Sequence, residues 1–436
     1  MTLHNGERKN VFCPETNDIQ KPADLVVIGG GMVGPSVAHF AQRILGSKSR
    51  VVVLEANTGL GMGSSAASLE QGRCSWPDKA VCQMMIFSRD FFQRPENYGL
   101  KMSSAQLGYK ERPYLWATST DDEIKTYRNL TKVLRSRGVD VNYLDRQAIM
   151  EEYPWLTDTS VNGGMLDHSG FKVDSQQLAR AFAQASGNAD FFVETKGLKI
   201  VVSGGRVTGV ATDKGFVPTA KVIVAAGAGT RGLIETIDGL SVPILSVPRF
   251  SVSTEDRDKR LSNHDPFIVV PRTGAYWRPE GSGIFGGYSH QVPPIERPEK
   301  AFPDVDLKYR KKFLTAVWQG LNPERLDDPD KAESDTLSFL ASVLSPPGYY
   351  SKGNVLGGFY VHRAKAFDDD RPIITTLKDQ GLSDVGIITA EQGHGVMGSP
   401  ASGHYGAEII IRGADKPEYD NFNINPPTSE GITLTI

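Results

Sequence analysis

Residues 24–40 read DLVVIGGGMVGPSVAHF, and this stretch decides the fold. Its first five residues form a short run rich in valine and isoleucine, which is typical of a buried strand in a parallel sheet. Gly29, Gly31 and Gly34 follow at once in the pattern G-x-G-x-x-G, and an apolar, helix-like segment comes next. A strand, a glycine-rich turn and a helix in this order indicate a site for a dinucleotide pyrophosphate.

The three glycines and the proline after them each suit that site. The first glycine permits a tight turn, the second lets a pyrophosphate approach the backbone, and the third lets helix and strand pack closely. Pro35 would lie in the first turn of the helix, where its missing N–H has no intrahelical partner and its φ is already helical. We therefore expect Pro35 to leave the site intact.

A second strand, RVVVLEA at residues 50–56, carries Glu55 at its end. A carboxylate at this strand end accepts hydrogen bonds from an adenosine ribose and repels a 2′-phosphate, which disfavours NADP. The glycine motif does not separate FAD from NAD, so both cofactors stay open on this evidence alone.

The amino-acid composition of the chain limits the classes of function that it can have. The chain has 436 residues, 39% of them hydrophobic and 23% charged, which indicates a folded protein with room for two domains. Its net charge is -3 and it has no long basic run, so we expect no nucleic-acid partner. No apolar stretch reaches the roughly 18 residues of a membrane span. Three cysteines without a CxxC motif indicate a reducing cytoplasm, and the eight histidines show no metal-ligand spacing.

Three further stretches extend the nucleotide site. GSSAASLEQGR, at residues 63–73, follows the acidic strand end, and its small residues suit contact with a flavin ring or a phosphate. Residues 197–230 predict a β-meander with a GGRV turn and then a buried strand. Residues 385–413 predict a strand, a glycine turn and a helix. Residues 393–395, Gly-His-Gly, would then place helix N–H groups where negative charge develops on a reduced flavin.

The order of these pieces resembles the FAD-dependent D-amino-acid oxidase and sarcosine oxidase superfamily, which includes glycine oxidase and dimethylglycine dehydrogenase. The resemblance runs from about Asp24 to Gly413 and depends on several segments taken together. These are the glycine motif with Glu55, GSS, GFKVDSQQLARAF, VIVAAGAG, YWRPEG, AFDDDRPIIT and GHGVMGSPASG. The segments CSWPDKAVCQMM and PYLWATSTDDE also resemble a branch that includes a respiratory-complex assembly factor.

The resemblance implies an α/β fold in two discontinuous domains. Residues 1–105, 175–242 and 350–436 would form a Rossmann-like FAD-binding domain of the GR2 type. Residues 106–174 and 243–349 would form a substrate domain with a mixed, largely antiparallel β-sheet. It also implies oxidation of a carbon next to an amine nitrogen.

The resemblance also implies how the flavin is held. The family's histidine linkage site would fall near Ala67 and its cysteine site near His362, and neither position has the required residue, so we expect non-covalent FAD. Met397 stands where several relatives carry a lysine near the flavin. The predicted FAD-binding residues are Gly29, Gly31, Met32, Val33, Gly34, Glu55, Ala56, Gly63, Ser64, Ser65, Arg73, Leu198, Ala226, Gly227, Gly393, His394, Gly395, Val396 and Met397.

Candidate catalytic residues are fewer. His394, between two glycines at the predicted helix start, is expected to contact flavin or substrate, with a structural capping role as the alternative. Arg278 and Arg363 are candidates to bind a substrate carboxylate in bidentate fashion, and structural arginines are the alternative. The acids of FDDDRP, residues 367–372, are more typical of a solvated turn. The remaining pocket candidates, on the same strands as the arginines, are Tyr276, Tyr360 and His362.

Together these features predict an FAD-dependent oxidoreductase. We expect it to oxidise the C–N bond of a small amino acid or a secondary or N-methyl amine to an imine, by hydride transfer to flavin N5. Oxygen or another acceptor would then take the electrons. Desolvation against the flavin lowers the pKa of the ammonium, so no dedicated base is required. An FAD-dependent 2-hydroxy-acid dehydrogenase, which would need a base such as His394, and a non-catalytic flavoprotein assembly or binding factor stay open.

Overall fold

A computed structural model describes residues 16–156, 161–253, 261–271, 274–288, 355–364, 369–414 and 416–426. The domain assignments predicted for residues 1–15 and 289–354 lie outside the described residues. None of the helices in the described part of the chain has the length and apolar character that a bilayer span requires.

The strands of the described residues are, in chain order, β1 (Leu25–Ile28), β2 (Val51–Leu54), β3 (Gln71–Gly72), β4 (Lys110–Glu111), β5 (Tyr114–Thr118), β6 (Val141–Asp145), β7 (Gly163–Asp167), β8 (Phe171–Lys172), β9 (Asp190–Phe192), β10 (Gly197–Ser203), β11 (Arg206–Thr212), β12 (Gly215–Pro218), β13 (Val222–Val224), β14 (Ile244–Ser253), β15 (Phe267–Val270), β16 (Ala275–Glu280), β17 (Gly283–Tyr288), β18 (Val355–Arg363), β19 (Ile373–Leu377) and β20 (Leu382–Thr389). The α-helices are α1 (Val33–Leu45), α2 (Lys79–Gln93), α3 (Asp121–Ser136), α4 (Arg146–Glu152), α5 (Ser175–Ala185), α6 (Thr230–Ile234) and α7 (Ser399–Gly406).

A six-stranded sheet contains the glycine motif. Its strand order is β19-β20-β13-β1-β2-β9, and every neighbouring pair is parallel except the edge pair β19 and β20. All residues of β1 and β2 are buried, as expected for strands that are covered on both faces. The predicted sequence of strand, glycine turn and helix is confirmed, and the carboxyl ends of β1, β2 and β13 face one edge of the sheet.

Helix α1 is buried on most of its circumference because α5 and α7 pack against it. Pro35 lies in its first turn, where the sequence placed it. Gly403 of α7 lies so close to α1 that a Cβ there would be 2.1 Å from the hydroxyl oxygen of Ser36. Small residues therefore set the distance between the two helices that flank the nucleotide turn.

An eight-stranded mixed sheet forms the second layer, with the order β18-β14-β17-β16-β15-β5-β7-β6. Only the pair β15 and β5 is parallel. Strand β18 pairs along its length with β14, from Arg363 opposite Ile244 to Val355 opposite Val252. Strand β18 therefore belongs to the eight-stranded sheet through a partner more than a hundred positions away in the chain, and the predicted domain boundary at residue 350 stays a prediction.

Outside the site, two helices begin at side-chain caps, and the predicted GGRV turn is confirmed. Thr120 caps α3 in a capping box with Glu123. Asp174 caps α5, and its side chain accepts a hydrogen bond from the backbone N–H of Gln177 at 2.9 Å. The GGRV segment turns between β10 and β11.

Candidate active site

A cavity of about 1110 Å³ opens at the carboxyl ends of β1, β2 and β13 and continues along the eight-stranded sheet. Its lining comes from the glycine turn, residues 54–57, residues 62–77, the segments at 196–198 and 225–233, and the turn at 388–397. Strands β5, β14, β15, β16 and β18 supply the opposite wall. Ligands bind at this edge of open α/β sheets, so the cavity is the candidate active site.

The glycine turn has the shape that a pyrophosphate requires. Gly29 has φ +118°, and a Cβ there would lie 2.3 Å from the carbonyl oxygen of Ala225. A Cβ on Gly34 would lie 1.8 Å from the carbonyl oxygen of Gly29. Gly31, by contrast, faces the cavity, where a Cβ would meet only the hydroxyl of Ser65 at 3.5 Å. The first and third glycines thus close the turn, and the second leaves its backbone open to a ligand.

The carboxylate of Glu55 is fixed beside this turn. One of its oxygens accepts a hydrogen bond from the Gly30 N–H at 2.6 Å. The other accepts from the backbone and side-chain nitrogens of Asn57, at 2.7 and 2.6 Å. Exposed apolar side chains of Met62 and Leu198 lie on the same part of the cavity. An adenosine would suit this arrangement, since Glu55 could accept hydrogen bonds from its ribose and the apolar side chains could hold its flat base.

The turn after β20 has a strained backbone. Ala390 and Gln392 have φ of 59° and 43°, a region that side-chain-bearing residues rarely adopt, and Gly393 has φ 88°. The backbone N–H of Gln392 donates to the Val361 carbonyl at 3.2 Å, and its side-chain amide donates to the Asp369 carbonyl. Strain that is held in place by such contacts is typical of functional sites.

The same positive φ values keep residues 393–395 out of a helix. Helix α7 begins only at Ser399, so the predicted helix start at residues 393–395 is wrong. His394 instead lies in a tight turn, in which its N–H donates to the Glu391 carbonyl at 2.9 Å. Its own carbonyl accepts from the Gly398 N–H at 2.6 Å.

The imidazole of His394 faces the cavity and is only 4% exposed. Its ring centroid lies 4.7 Å from that of Trp76. Neither ring nitrogen has a hydrogen-bond partner among the residues that the structure describes. Burial, and then the positive charge of Arg73 and the neighbouring His362, lower the pKa of His394 to about 3. The ring is therefore neutral at pH 7 and offers a ligand one donor and one acceptor.

Arg73 is a buried cation on the cavity wall, with 8% of its surface exposed. Its guanidinium carbon lies 3.7 Å from the ring centroid of Trp76 and 4.7 Å from that of Trp116. Its Nη1 is buried and has no hydrogen-bond partner within the described ranges. Burial lowers the pKa of Arg73, but a guanidinium remains protonated in proteins. An anionic ligand group would supply the missing partner.

A carboxyl group that the sequence analysis did not identify, Glu391, also lines the cavity. One oxygen accepts a hydrogen bond from the Ser402 hydroxyl at 2.7 Å. The other has no partner among the residues described. Burial raises the pKa of Glu391 to about 7. The available signal in the sequence was an acidic residue just before the Gly-His-Gly segment at residues 393–395.

Most of the residues predicted for the site share this one cavity. All the predicted FAD-binding residues line it except Gly34, which packs behind the turn. The pocket candidates in the lining are Tyr276, Tyr360, His362 and His394. Further lining residues that the sequence analysis did not propose are Trp76, Tyr114, Trp116, Arg249, Phe267 and Asp370. The aromatic residues of PYLWATS alternate along β5, which was the available signal for Tyr114 and Trp116.

The two arginines predicted to bind a substrate carboxylate do not line the cavity, which corrects that expectation. The guanidinium of Arg278 pairs with Glu280 at 2.9 Å and donates to the Leu69 carbonyl. That of Arg363 donates to four carbonyl groups, at 2.6–3.1 Å, in the chain segments 371–372 and 423–424. Both arginines thus use their donors to hold backbone segments together.

In the described part of the FDDDRP segment, residues 369–372, the acids do not form the solvated turn that the composition suggested. Asp369 forms an ion pair with Arg371, with 2.8 Å between the carboxylate oxygen and Nε. Asp370 lines the cavity. Residues 367 and 368 of the motif lie outside the described residues.

The fold and the cavity together define a flavin-dependent oxidoreductase. Residues 24–409 match the family described as FAD dependent oxidoreductase (DAO), and the chain belongs to this family. FAD is therefore its cofactor, and the glycine turn, Glu55 and the turn around His394 are the residues of this chain that fit it.

Two curated relatives show the range of this family. The mitochondrial pyruvate dehydrogenase phosphatase regulatory subunit of Mus musculus is 26% identical over 307 residues, 67% of this chain and 33% of the relative. The 4-methylaminobutanoate oxidase (formaldehyde-forming) of Paenarthrobacter nicotinovorans is 26% identical over 237 residues, 53% of this chain and 28% of the relative. The chain thus spans about a third or less of the length of these two proteins.

Among solved structures, L-proline dehydrogenase from P. horikoshii is similar with a TM-score of 0.73 at 22% identity. The similarity covers 93% of this chain and 97% of that one, and it shows that the fold is shared.

Proposed function

We propose that this chain oxidises the C–N bond of a small amino acid or of a secondary or N-methyl amine that carries a carboxylate. The observation that carries the proposal is Arg73, a buried cation that faces the cavity with an unpartnered Nη1 among the described residues. A carboxylate is the planar anion that a guanidinium binds best, through two parallel hydrogen bonds. We therefore assign to Arg73 the role that the sequence analysis gave to Arg278 and Arg363.

The rest of the pocket wall suits the apolar part of such a substrate. Tyr114, Phe267 and Tyr276 follow one another along the wall, with ring centroids 4.6 and 6.2 Å apart. The two oxidoreductases described above are named for L-proline and 4-methylaminobutanoate, which are both secondary amines with a carboxylate. This agreement supports secondary amines with a carboxylate as candidate substrates beside small amino acids.

The amine must lose its proton before the oxidation. When bound, FAD supplies the two-electron acceptor for the hydride of the carbon next to nitrogen. Removal of the amine from water disfavours its charged ammonium form, and the neutral imidazole of His394 can accept a hydrogen bond from the amine N–H. Glu391 carries a carboxyl whose pKa is near 7, so it can exchange protons with a ligand at neutral pH.

Oxidation of a 2-hydroxy acid is less well supported. That reaction needs a base strong enough to deprotonate an alcohol, and the sequence analysis assigned this role to His394. Its pKa of about 3 makes the imidazole a weak base in this environment.

A non-catalytic role is the second candidate, because the mouse relative is named as a regulatory subunit.

The location of the protein in the cell stays a prediction. The cysteine content predicts the cytoplasm, whereas the mouse relative is named as mitochondrial. Oxygen or another oxidant would take the electrons in the catalytic case.

Anaerobic reduction of the flavin absorption band tests these roles directly. We expect L-proline, N-methylglycine or 4-methylaminobutanoate to bleach the band of the holoprotein. Bleaching by 2-hydroxy acids alone would select the dehydrogenase alternative, and no bleaching by any of these compounds would select the non-catalytic one. Turnover with and without oxygen then distinguishes an oxidase from a dehydrogenase.

A further inference from the structure

The chain segment that lines the cavity just before Arg73, residues 67–71, is held by hydrogen bonds from side chains of the eight-stranded sheet. The Ser251 hydroxyl donates to the Ala67 carbonyl at 3.0 Å, and the Tyr114 hydroxyl donates to the Gln71 carbonyl at 3.2 Å. The guanidinium of Arg278 holds the Leu69 carbonyl from the same sheet. The segment before Arg73 is therefore anchored through its carbonyl groups.

The segment after Arg73 is anchored through its backbone N–H groups, which donate hydrogen bonds to the side chains of Asp167 and Ser169. The carboxylate of Asp167 accepts a hydrogen bond from the Ser75 N–H at 3.2 Å. The hydroxyl of Ser169 accepts from the Cys74 N–H at 3.1 Å. Asp167 in turn accepts from the N–H and the hydroxyl of Ser169, at 2.8 and 2.5 Å. Two consecutive amides after Arg73 thus depend on one carboxylate.

Asp167 is fully buried at the end of β7, where removal of its carboxylate from water costs free energy. Its negative charge acts on Arg73 and favours the charged guanidinium, as does that of Asp370. None of the ion pairs within 4 Å in the described part of the chain includes Arg73. Asp167 therefore favours the charged form of Arg73 without pairing with it, and Nη1 of Arg73 stays available to a ligand.

We propose that Asp167, acting with Ser169, is a positioning residue that holds Arg73 in the geometry that receives the anionic group of the substrate. This inference rests on the proposed function, because it assumes that Arg73 binds a carboxylate. A backbone that shifts at residues 74 and 75 would move the guanidinium against Trp76 and spoil a bidentate contact, which depends on both distance and angle.

The test compares a carboxylate with its amide on the FAD-loaded protein. Pyrrole-2-carboxylate and pyrrole-2-carboxamide have the same ring and differ in charge, and binding of either can be followed from the flavin absorption band. We expect Asp167→Asn to raise the Kd of the carboxylate about tenfold and to leave that of the amide unchanged. Ser169→Ala keeps the charge but removes the acceptor for Cys74, so we expect a smaller rise of the same kind.

The matched control is Arg73→Met, which should abolish the preference for the carboxylate. If Arg73→Met binds the carboxylate as tightly as the wild type, the proposed function fails. If Arg73→Met loses this binding and Asp167→Asn does not, the positioning role is refuted while the role of Arg73 stands. An equal loss for carboxylate and amide in Asp167→Asn would also refute it, because that pattern indicates a general disturbance.

Steady-state kinetics give a second readout of the same positioning effect. With an oxidised substrate such as L-proline, Asp167→Asn should raise KM and leave kcat nearly unchanged, because ground state and transition state lose the same contact. If Asp167→Asn does not fold, Ser169→Ala carries the test, and wild-type discrimination in that variant would overturn the proposal.

Discussion

Replacing Arg73 with methionine should weaken substrate binding without lowering the stability of the apoprotein. Methionine has a similar length and is apolar, so it can occupy the space between the rings of Trp76 and Trp116. The substitution removes two charge-assisted hydrogen bonds to a substrate carboxylate, together worth about 3 kcal/mol. That free energy corresponds to a roughly 100-fold increase in Kd or KM.

The same substitution should not destabilise the apoprotein. Arg73 is a buried charge whose Nη1 has no hydrogen-bond partner among the described residues. Burying such a charge costs free energy, whereas its contacts with the aromatic rings return about 2 kcal/mol. We therefore expect an apoprotein Tm equal to or above that of the wild type.

Arg73→Lys is the matched control because it keeps the charge but loses the planar fork, so its affinity should lie between the two. The assays are anaerobic flavin reduction for KM and thermal unfolding of the apoprotein for Tm. An Arg73→Met protein with wild-type KM for carboxylate substrates would refute the assignment of Arg73. A large fall in Tm with an unchanged KM would instead make the arginine a structural residue.

Three other residues give distinct outcomes. Gly34→Ala should yield a folded but colourless protein that does not bind FAD when it is added, because the new Cβ would lie 1.8 Å from the Gly29 carbonyl oxygen and must displace the turn; a yellow holoprotein would contradict this. His394→Asn should lower the rate of flavin reduction by a similar factor from about pH 5 to about pH 9, because the wild-type imidazole is already neutral there; a break near pH 6.5 that disappears in the variant would contradict it. The pKa of Glu391 is about 7 in the folded state, above its ordinary value of 4.5, so the folded protein binds this proton more tightly than the unfolded chain does. The wild-type apoprotein should therefore lose stability as the pH rises from 4.5 towards 7. Glu391→Gln should remove this loss, so its Tm relative to the wild type should be higher at pH 8 than at pH 5, and a constant difference would show that Glu391 does not titrate there.

The nucleotide half of the site was predictable because its requirements are local. A turn that brings the Gly34 Cα against the Gly29 carbonyl needs residues only five positions apart, so the motif itself encodes the steric solution. Glu55 follows the next strand along the chain, and parallel pairing of β1 with β2 brings it to the same edge. Nearly all of the predicted FAD-binding residues accordingly line one cavity.

The substrate half was only partly predictable, because its residues come from strands with distant partners. Tyr276, Tyr360 and His362 do line the cavity, but the arginines on the same strands do not. Adjacent residues of a strand point to opposite faces, so a one-residue uncertainty in register decides whether a side chain meets the substrate or the backbone of another segment. Arg363 illustrates this, since it follows the cavity residue His362 directly and yet binds carbonyl groups.

The sequence by itself determined the cofactor half of this protein: a strand, a glycine turn and a helix whose sterics fit a dinucleotide, and the family to which that pattern belongs. Only the tertiary structure decided which arginine faces the cavity, that β18 pairs with β14, and that a buried aspartate fixes the segment after Arg73. The physical reason is the separation along the chain of the groups that interact. Backbone sterics in a turn act over a few residues, whereas charge compensation and strand pairing join groups that are separated by a hundred residues and meet only in the folded chain.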